Sequence, residues 1–243
     1  MRRTTIDTQI TNDGTRATFY WSGAIACLLL MVYSVVTMLV VVLIGGPPLT
    51  AQECFMMLHD NRLHGLLRLD VLTVFVMPLY FLLFYSIYCA LRRVDKLLTA
   101  FSNILVYAGL ILFLATPSVF SYLHLSDQYA VATSEVQKSQ LLAAGEAILA
   151  SDMWHGTGAR VGGLLLQTGA VLISVAMLKS PSFSKLTAYT GIATHGLDLA
   201  HVVFGFFAPS AGIILMALAG PLYLLWFPLV GWHLWKLGKG LKL

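Results

Sequence analysis

Charge is what this chain has least of. Only 11% of its 243 residues are Asp, Glu, Lys or Arg, against about 25% in a soluble domain, which is too little to clothe a water-facing surface. Cysteine is scarce as well. Cys27, Cys54 and Cys89 are the three present, and no two stand in a CxxC spacing, so neither a disulfide framework nor a thiolate metal site is indicated. They read as small apolar packing residues. No P-loop and no GxGxxG after a strand occurs, and no loop is long enough for a separate globular domain. A nucleotide-driven motor, a kinase or a sensor domain within this chain is therefore not expected. The GxSxG elbow is missing too, as is the Gly-x-Ser-Gly of a rhomboid-like protease. Net charge is +4 and pI about 9.0, yet the basic residues form no stripe interleaved with aromatics, so nucleic acid is not an expected partner.

What is present is apolar sequence in long blocks: 58% hydrophobic residues and a mean hydropathy of +0.80. Blocks of this length, without two-residue or 3.6-residue alternation, imply lipid as the solvent. In lipid each block must satisfy its own backbone, and the blocks are too long for barrel strands. The expected fold is an all-α integral membrane protein, a bundle of six transmembrane helices at Thr18–Ile44, Leu69–Leu91, Ala100–Leu123, Val161–Leu178, Ala188–Ala208 and Ala211–Leu234. The fourth is the shortest and has room to begin before Arg160. A tight Ala208-Pro209-Ser210 turn should fold the last two into an antiparallel hairpin. The first block is too long for a signal-peptide core and is followed by no A-x-A-like cleavage site, so it reads as a retained helix.

Orientation follows from the basic residues. Eleven of the 15 lysines and arginines fall on one side of the six blocks (Arg2, Arg3, Arg16; Arg92, Arg93, Lys96; Lys179, Lys185; Lys236, Lys239, Lys242) and four on the other (Arg62, Arg68; Lys138, Arg160). Positive charge favours the cytoplasmic side, which places both termini there. The two longer outer loops carry their own helix signals. Gly45-Gly46-Pro47-Pro48 ends the first block, and Thr50-Ala51-Gln52-Glu53 is a capping-box pattern opening an amphipathic segment that runs to Leu67. Ser134-Glu135-Val136-Gln137 is a second such pattern, leading into a helix-forming run through Leu149. Pro78, Pro117, Pro221 and Pro228 should kink helices. Gly162, Gly163 and Gly169 should permit close helix approach.

The polar residues inside the blocks are the functional lead. An Asp at the centre of a span costs roughly 2.5–3.5 kcal/mol on insertion scales, and Asp198 lies near the middle of the fifth block. His195, Asp198 and His201, spaced i, i+3, i+6, project within about a 120° arc, so one polar face should look into the bundle. His59, His64, His124, His155 and His201 fall toward the outer side, as do Glu53, Asp60, Asp70, Asp127, Glu146 and Asp152. These suggest an outward-facing polar cavity for a small or lipid-like ligand, lined by His195, Asp198 and His201 with Arg160 and Glu146. Three readings stay open. In the first, Asp198 pairs with Arg160 or Arg68, the histidines bond to backbone carbonyls or interface water, and the protein is a structural or partner-binding subunit. In the second, the cavity binds or passes a ligand without chemistry. In the third, His195, Asp198, His201 and His155 hold zinc in a metal-dependent hydrolase, although HxxDxxH is not a recognised metal signature. The second is preferred, with no cofactor required.

Several stretches carry a family likeness. Leu125-Ser126-Asp127-Gln128-Tyr129-Ala130 and Leu142-Ala143-Ala144-Gly145-Glu146-Ala147 are two. Met177-Leu178-Lys179-Ser180 with Phe183-Ser184-Lys185, and the run from Leu225 to Trp235, are two more. With the six apolar blocks, nearly the whole chain resembles the prokaryotic membrane-protein family termed domain of unknown function four-three-eight-six. The resemblance implies a bacterial or archaeal cytoplasmic-membrane protein in contact with lipid. It implies no activity and no catalytic residues.

Overall fold

The computed structural model describes residues 2–116 and 118–240, with side chains from Ala17 onward. The expectations for Pro117, for Lys242 and for the side chains of Arg2, Arg3 and Arg16 fall outside the described residues. The described chain is all helical. Helix α1 (Arg2–Leu43) stops where Gly45 takes a φ of +110°, a backbone conformation open to glycine, ahead of Pro47-Pro48. Helix α2 (Ala51–Asp60) begins as the capping pattern predicts, with the Thr50 hydroxyl accepting from the Glu53 amide at 3.1 Å. The expected single amphipathic helix is in fact two. Asn61 leaves helical geometry and its side chain caps α3 (Arg62–Arg68) by accepting from the His64 amide.

The second expected span, Leu69–Leu91, is likewise not one helix. Asp70 sits at φ +51°, α4 covers Val71–Val76, and α5 covers Leu79–Leu91. The break falls at Pro78, which has no amide hydrogen to continue the ladder. The third is shorter than expected: α6 (Lys96–Leu114) ends early, and Val119–Val131 forms a separate helix, α7. Helix α8 (Glu135–Leu149) starts at Ser134, whose hydroxyl accepts from the Gln137 amide at 3.2 Å. Helix α9 (Thr157–Met177) does begin before Arg160. Helices α10 (Lys185–Phe207) and α11 (Pro209–Gly238) meet at Ala208 and pack along one another as the expected hairpin.

Four stretches are long and apolar enough to cross a membrane: Ala17–Leu43, Lys96–Val131, Thr157–Met177 and Pro209–Gly238. The other two expected spans fall short of that standard, one because it is split at Pro78, the other because α10 is diluted by His195, Asp198 and His201. Even so, α1, α5, α6, α9, α10 and α11 close a ring in which each helix packs against the next and α11 returns to α1. Inside it lie Leu30, Phe84, Ile87, Leu110, Ile173, Trp226 and Phe227, all buried. The outside is apolar too: Val42 is 76% exposed, Ile104 64% and Ile214 61%. An apolar exterior around an apolar interior is the arrangement expected when lipid, not water, surrounds the bundle.

Helices α2, α3, α7 and α8 form a cap over one end of the ring. They have a core of their own, with Phe55, Leu58, Val119, Tyr122 and Leu149. The opposite, basic end carries Arg92, Arg93, Lys96, Lys179, Lys185, Lys236 and Lys239.

The tightest helix contact is between α6 and α9. A Cβ placed on Gly109 would stand 2.5 Å from the Gly162 carbonyl oxygen, and one on Gly169 would stand 2.5 Å from that of Ser102. Gly162 and Gly169 thus serve the close approach expected of them. Gly163 faces Val202 more loosely, at 3.2 Å.

Candidate functional site

Half-way along α10 the polar face turns inward, as its spacing predicts, but it meets different partners. Asp198 Oδ2 accepts from the Tyr223 hydroxyl of α11 at 2.6 Å and from Gln167 Nε2 of α9 at 3.2 Å. His195 Nδ1 lies 2.8 Å from Gln167 Oε1. The Gln167 amide nitrogen also donates to the Tyr223 oxygen at 3.3 Å. The pattern assigns the protons. Gln167 has spent its NH2 on Asp198 and Tyr223, so its carbonyl must accept, and His195 carries hydrogen on Nδ1. Nε2 is then an acceptor, and it is buried without a partner among the described residues. The His195 ring stands edge-on to the Trp226 indole, with centroids 4.5 Å apart.

The network therefore joins one residue of α9, two of α10 and two of α11 when Trp226 is included. It contains no cation. The expected pairing of Asp198 with Arg160 or Arg68 is not what forms, because both arginines are held near the capped end. Arg68 donates from Nε to the Gly46 carbonyl at 2.7 Å and from Nη2 to Glu53 at 2.8 Å. Arg160 donates to the His155 carbonyl at 3.4 Å and lies over the Phe206 ring at 5.2 Å.

His201, a turn beyond Asp198, stays apart from the network. Its Nδ1 donates to the Gly212 carbonyl at 2.9 Å, as the backbone-bonding expectation had it. Glu146 is elsewhere again: Oε1 accepts from the Ala51 amide at 2.7 Å and ties α8 to the start of α2. His155 Nδ1 is within 3.1 Å of both Asp152 Oδ1 and the Leu149 carbonyl. Of the six residues expected to share one cavity or metal site, only His195 and Asp198 belong to one cluster. Among the described residues no three His, Cys, Asp or Glu side chains converge as a metal-binding group. The zinc set His195, Asp198, His201 and His155 is thus dispersed, since His155 sits in the cap and His201 bonds across to α11.

Gln167 and Tyr223 are the members that sequence reasoning missed. Gln167 had a signal, being an amide within an otherwise apolar run (Leu164-Leu165-Leu166-Gln167). Tyr223 had none beyond a tyrosine inside an apolar block. A second polar cluster was missed as well. At the start of α4, Asp70 Oδ2 accepts from Tyr33 at 2.7 Å and from Thr73 at 2.8 Å, joining α1 to the turn before α4.

The cap carries an open groove. It holds about 550 Å³ and is lined by Thr50, Gln52, Glu53, Met56, Met57, Asp60, Asn61, His64 and Arg68. Several of these are already committed. The Thr50 and Asn61 side chains cap helices, and Arg68 is paired with Glu53. The Leu49 amide, donating to Glu53 Oε2 at 2.9 Å, together with Arg68 holds that carboxyl below its usual range against the opposing effect of burial. Asp60 is exposed and meets no cation among the described residues, while His64 Nε2 is buried there without a partner. Cys54, behind this groove, is buried, and burial pushes its thiol up to about 12, so it is chemically inert. A second, apolar groove of about 310 Å³ runs between α1 and α11.

No protein-family model, curated protein or solved structure matches this chain.

Proposed function

We propose that the protein is a six-span helical membrane protein of a prokaryotic cytoplasmic membrane, both termini inside, whose capped end binds a small amphipathic cation. The observation that carries the binding reading is the α2–α3 groove. Its volume falls in the range of small-molecule sites, roughly 300–1,000 Å³. It combines the flexible, polarisable side chains of Met56 and Met57 with two carboxylates, Glu53 and Asp60, against one guanidinium, Arg68. One negative charge is left over, on Asp60, beside apolar surface. That pairing suits an organic cation.

The six-span reading is supported by the closed ring of six helices and by the eleven-to-four split of basic residues. Helices α4 and α5 together supply the second crossing, kinked at Pro78, and α10 supplies the fifth, its polar side chains satisfied by neighbours. Membership in the domain-of-unknown-function family named above is part of the same proposal and adds no activity.

Tetraphenylphosphonium is a suitable probe for the groove, measured by calorimetry on protein in nanodiscs. Binding should weaken about tenfold in Asp60→Asn, the effect of deleting one nearby charge at a protein surface. Tetraphenylborate, of the same shape and opposite charge, should not compete. Equal binding of the cation by wild type and Asp60→Asn would remove the groove from consideration.

A further inference from the structure

The groove between α1 and α11 has a shape and a charge pattern that identify its occupant. Ala24, Cys27 and Gly231 form its floor, where the helices come so close that a Cβ on Gly231 would stand 3.0 Å from the Cys27 Cβ. Met31, Leu28, Pro228 and Trp232 form its walls. It runs toward the basic end and finishes at Trp232 and Trp235. There Lys236 Nζ lies 5.2 Å from the Trp232 ring centroid, and Lys239 Nζ lies 3.7 Å from that of Trp235.

Neither lysine meets an acid among the described residues. No Asp or Glu follows Asp198, and none lies between Ala17 and Leu43; Asp7 and Asp13 precede that stretch, with side chains outside the described residues. Among the described side chains, the acid near this end is Asp95, which Lys179 meets at 3.4 Å. An apolar trough that ends in two aromatic-backed ammonium groups is thus matched to a molecule with a long apolar tail and an anionic head. On the outside of a membrane bundle, aromatic and basic residues mark the level of the headgroups.

We propose that this groove is a binding site for an anionic phospholipid. One acyl chain lies between α1 and α11, and the phosphate sits on Lys236 and Lys239. The proposal rests on the membrane reading of the chain but not on the ligand groove of the cap. Basic pockets between membrane helices hold acidic headgroups by the same combination of charge and apolar contact. The cation–π contacts hold the ammonium groups in place before the lipid arrives.

Native mass spectrometry of the full-length protein, titrated with dioleoyl phosphatidylglycerol and dioleoyl phosphatidylcholine, tests this. Phosphatidylglycerol should bind in preference. The double substitution Lys236→Gln/Lys239→Gln should weaken that binding about thirtyfold, two interfacial lysines being lost together. Arg93→Gln/Lys96→Gln makes the same charge change at the same end, away from the groove, and should leave binding within about twofold if the site is local. Dihexanoyl phosphatidylglycerol, which keeps the head and shortens the tails, should bind at least tenfold more weakly, separating a lipid site from a phosphate site. Equal loss in both double variants, or equal binding of the two headgroups, overturns the proposal. So does undiminished binding of the short-chain lipid.

Discussion

Replacing Tyr223 with phenylalanine deletes one hydroxyl at the junction of α9, α10 and α11, and the structure sets the size of the effect. That hydroxyl makes the shortest contact to Asp198, 2.6 Å, and it also accepts from Gln167 at 3.3 Å. Hydrogen bonds to a charged group contribute about 1.5–3 kcal/mol in soluble proteins. Within membrane bundles the measured average is nearer 0.6 kcal/mol with a maximum of about 1.7, because the unfolded reference state also finds partners. Two features place Tyr223 toward the upper end. Asp198 has no lysine or arginine to fall back on, and the remaining donor, Gln167 Nε2, is a longer 3.2 Å away. Tyr223→Phe should therefore cost about 1.5 kcal/mol. In a double-mutant cycle with Asp198→Ala, about 1 kcal/mol of coupling should appear, since the second change finds the bond already gone. The assay is reversible unfolding in mixed micelles with sodium dodecyl sulfate, followed by helical circular dichroism. The Tyr107→Phe variant is the control, because it deletes a 3.0 Å bond to a neutral carbonyl, that of Phe81, and should cost less. Coupling below about 0.3 kcal/mol, or an Asp198→Ala variant as stable as wild type, would show that the network does not hold these three helices together.

Two further outcomes follow from packing and orientation. Gly109→Ala drives a methyl into the α9 backbone and should destabilise by about 1–3 kcal/mol, whereas Gly196→Ala, whose added Cβ meets nothing within 4 Å, should be neutral or stabilise by up to about 1 kcal/mol. Thermal unfolding of the two variants side by side separates helix contact from helix propensity. Single cysteines introduced by Val94→Cys and Ser182→Cys should label with a membrane-impermeant thiol reagent only from the cytoplasmic side, and one from Gln140→Cys only from outside. The reverse pattern would invert the proposed orientation.

Zinc chemistry needed His155 beside His195, yet His155 is fixed in the cap by Asp152 and the Leu149 carbonyl, whereas His195 lies deep in the ring. The polar face of α10 is instead occupied by neutral partners from two neighbouring helices. The open, unevenly charged surface lies in the cap, on Asp60, Met56 and Met57.

The linear sequence by itself determined the helical character of the chain, the start of α2 at Thr50 and of α8 at Ser134, and the hairpin at Ala208. These depend on neighbours within a turn or on the length of an apolar run, and such information is local. It also determined that Asp198 must face inward, because a carboxyl in lipid has nowhere else to go. What Asp198 would meet there was decided only by the tertiary structure. Tyr223 and Gln167 are 25 and 31 residues away from it, on helices whose rotation is set by packing such as the Gly109–Gly162 contact and the burial of Trp226. The same holds for the helix ends at Asp60 and Leu114, where the chain gives up a longer helix and Phe55 and Tyr122 are buried in a second core. Rotation and depth are properties of the assembled ring, and no stretch of sequence carries them alone.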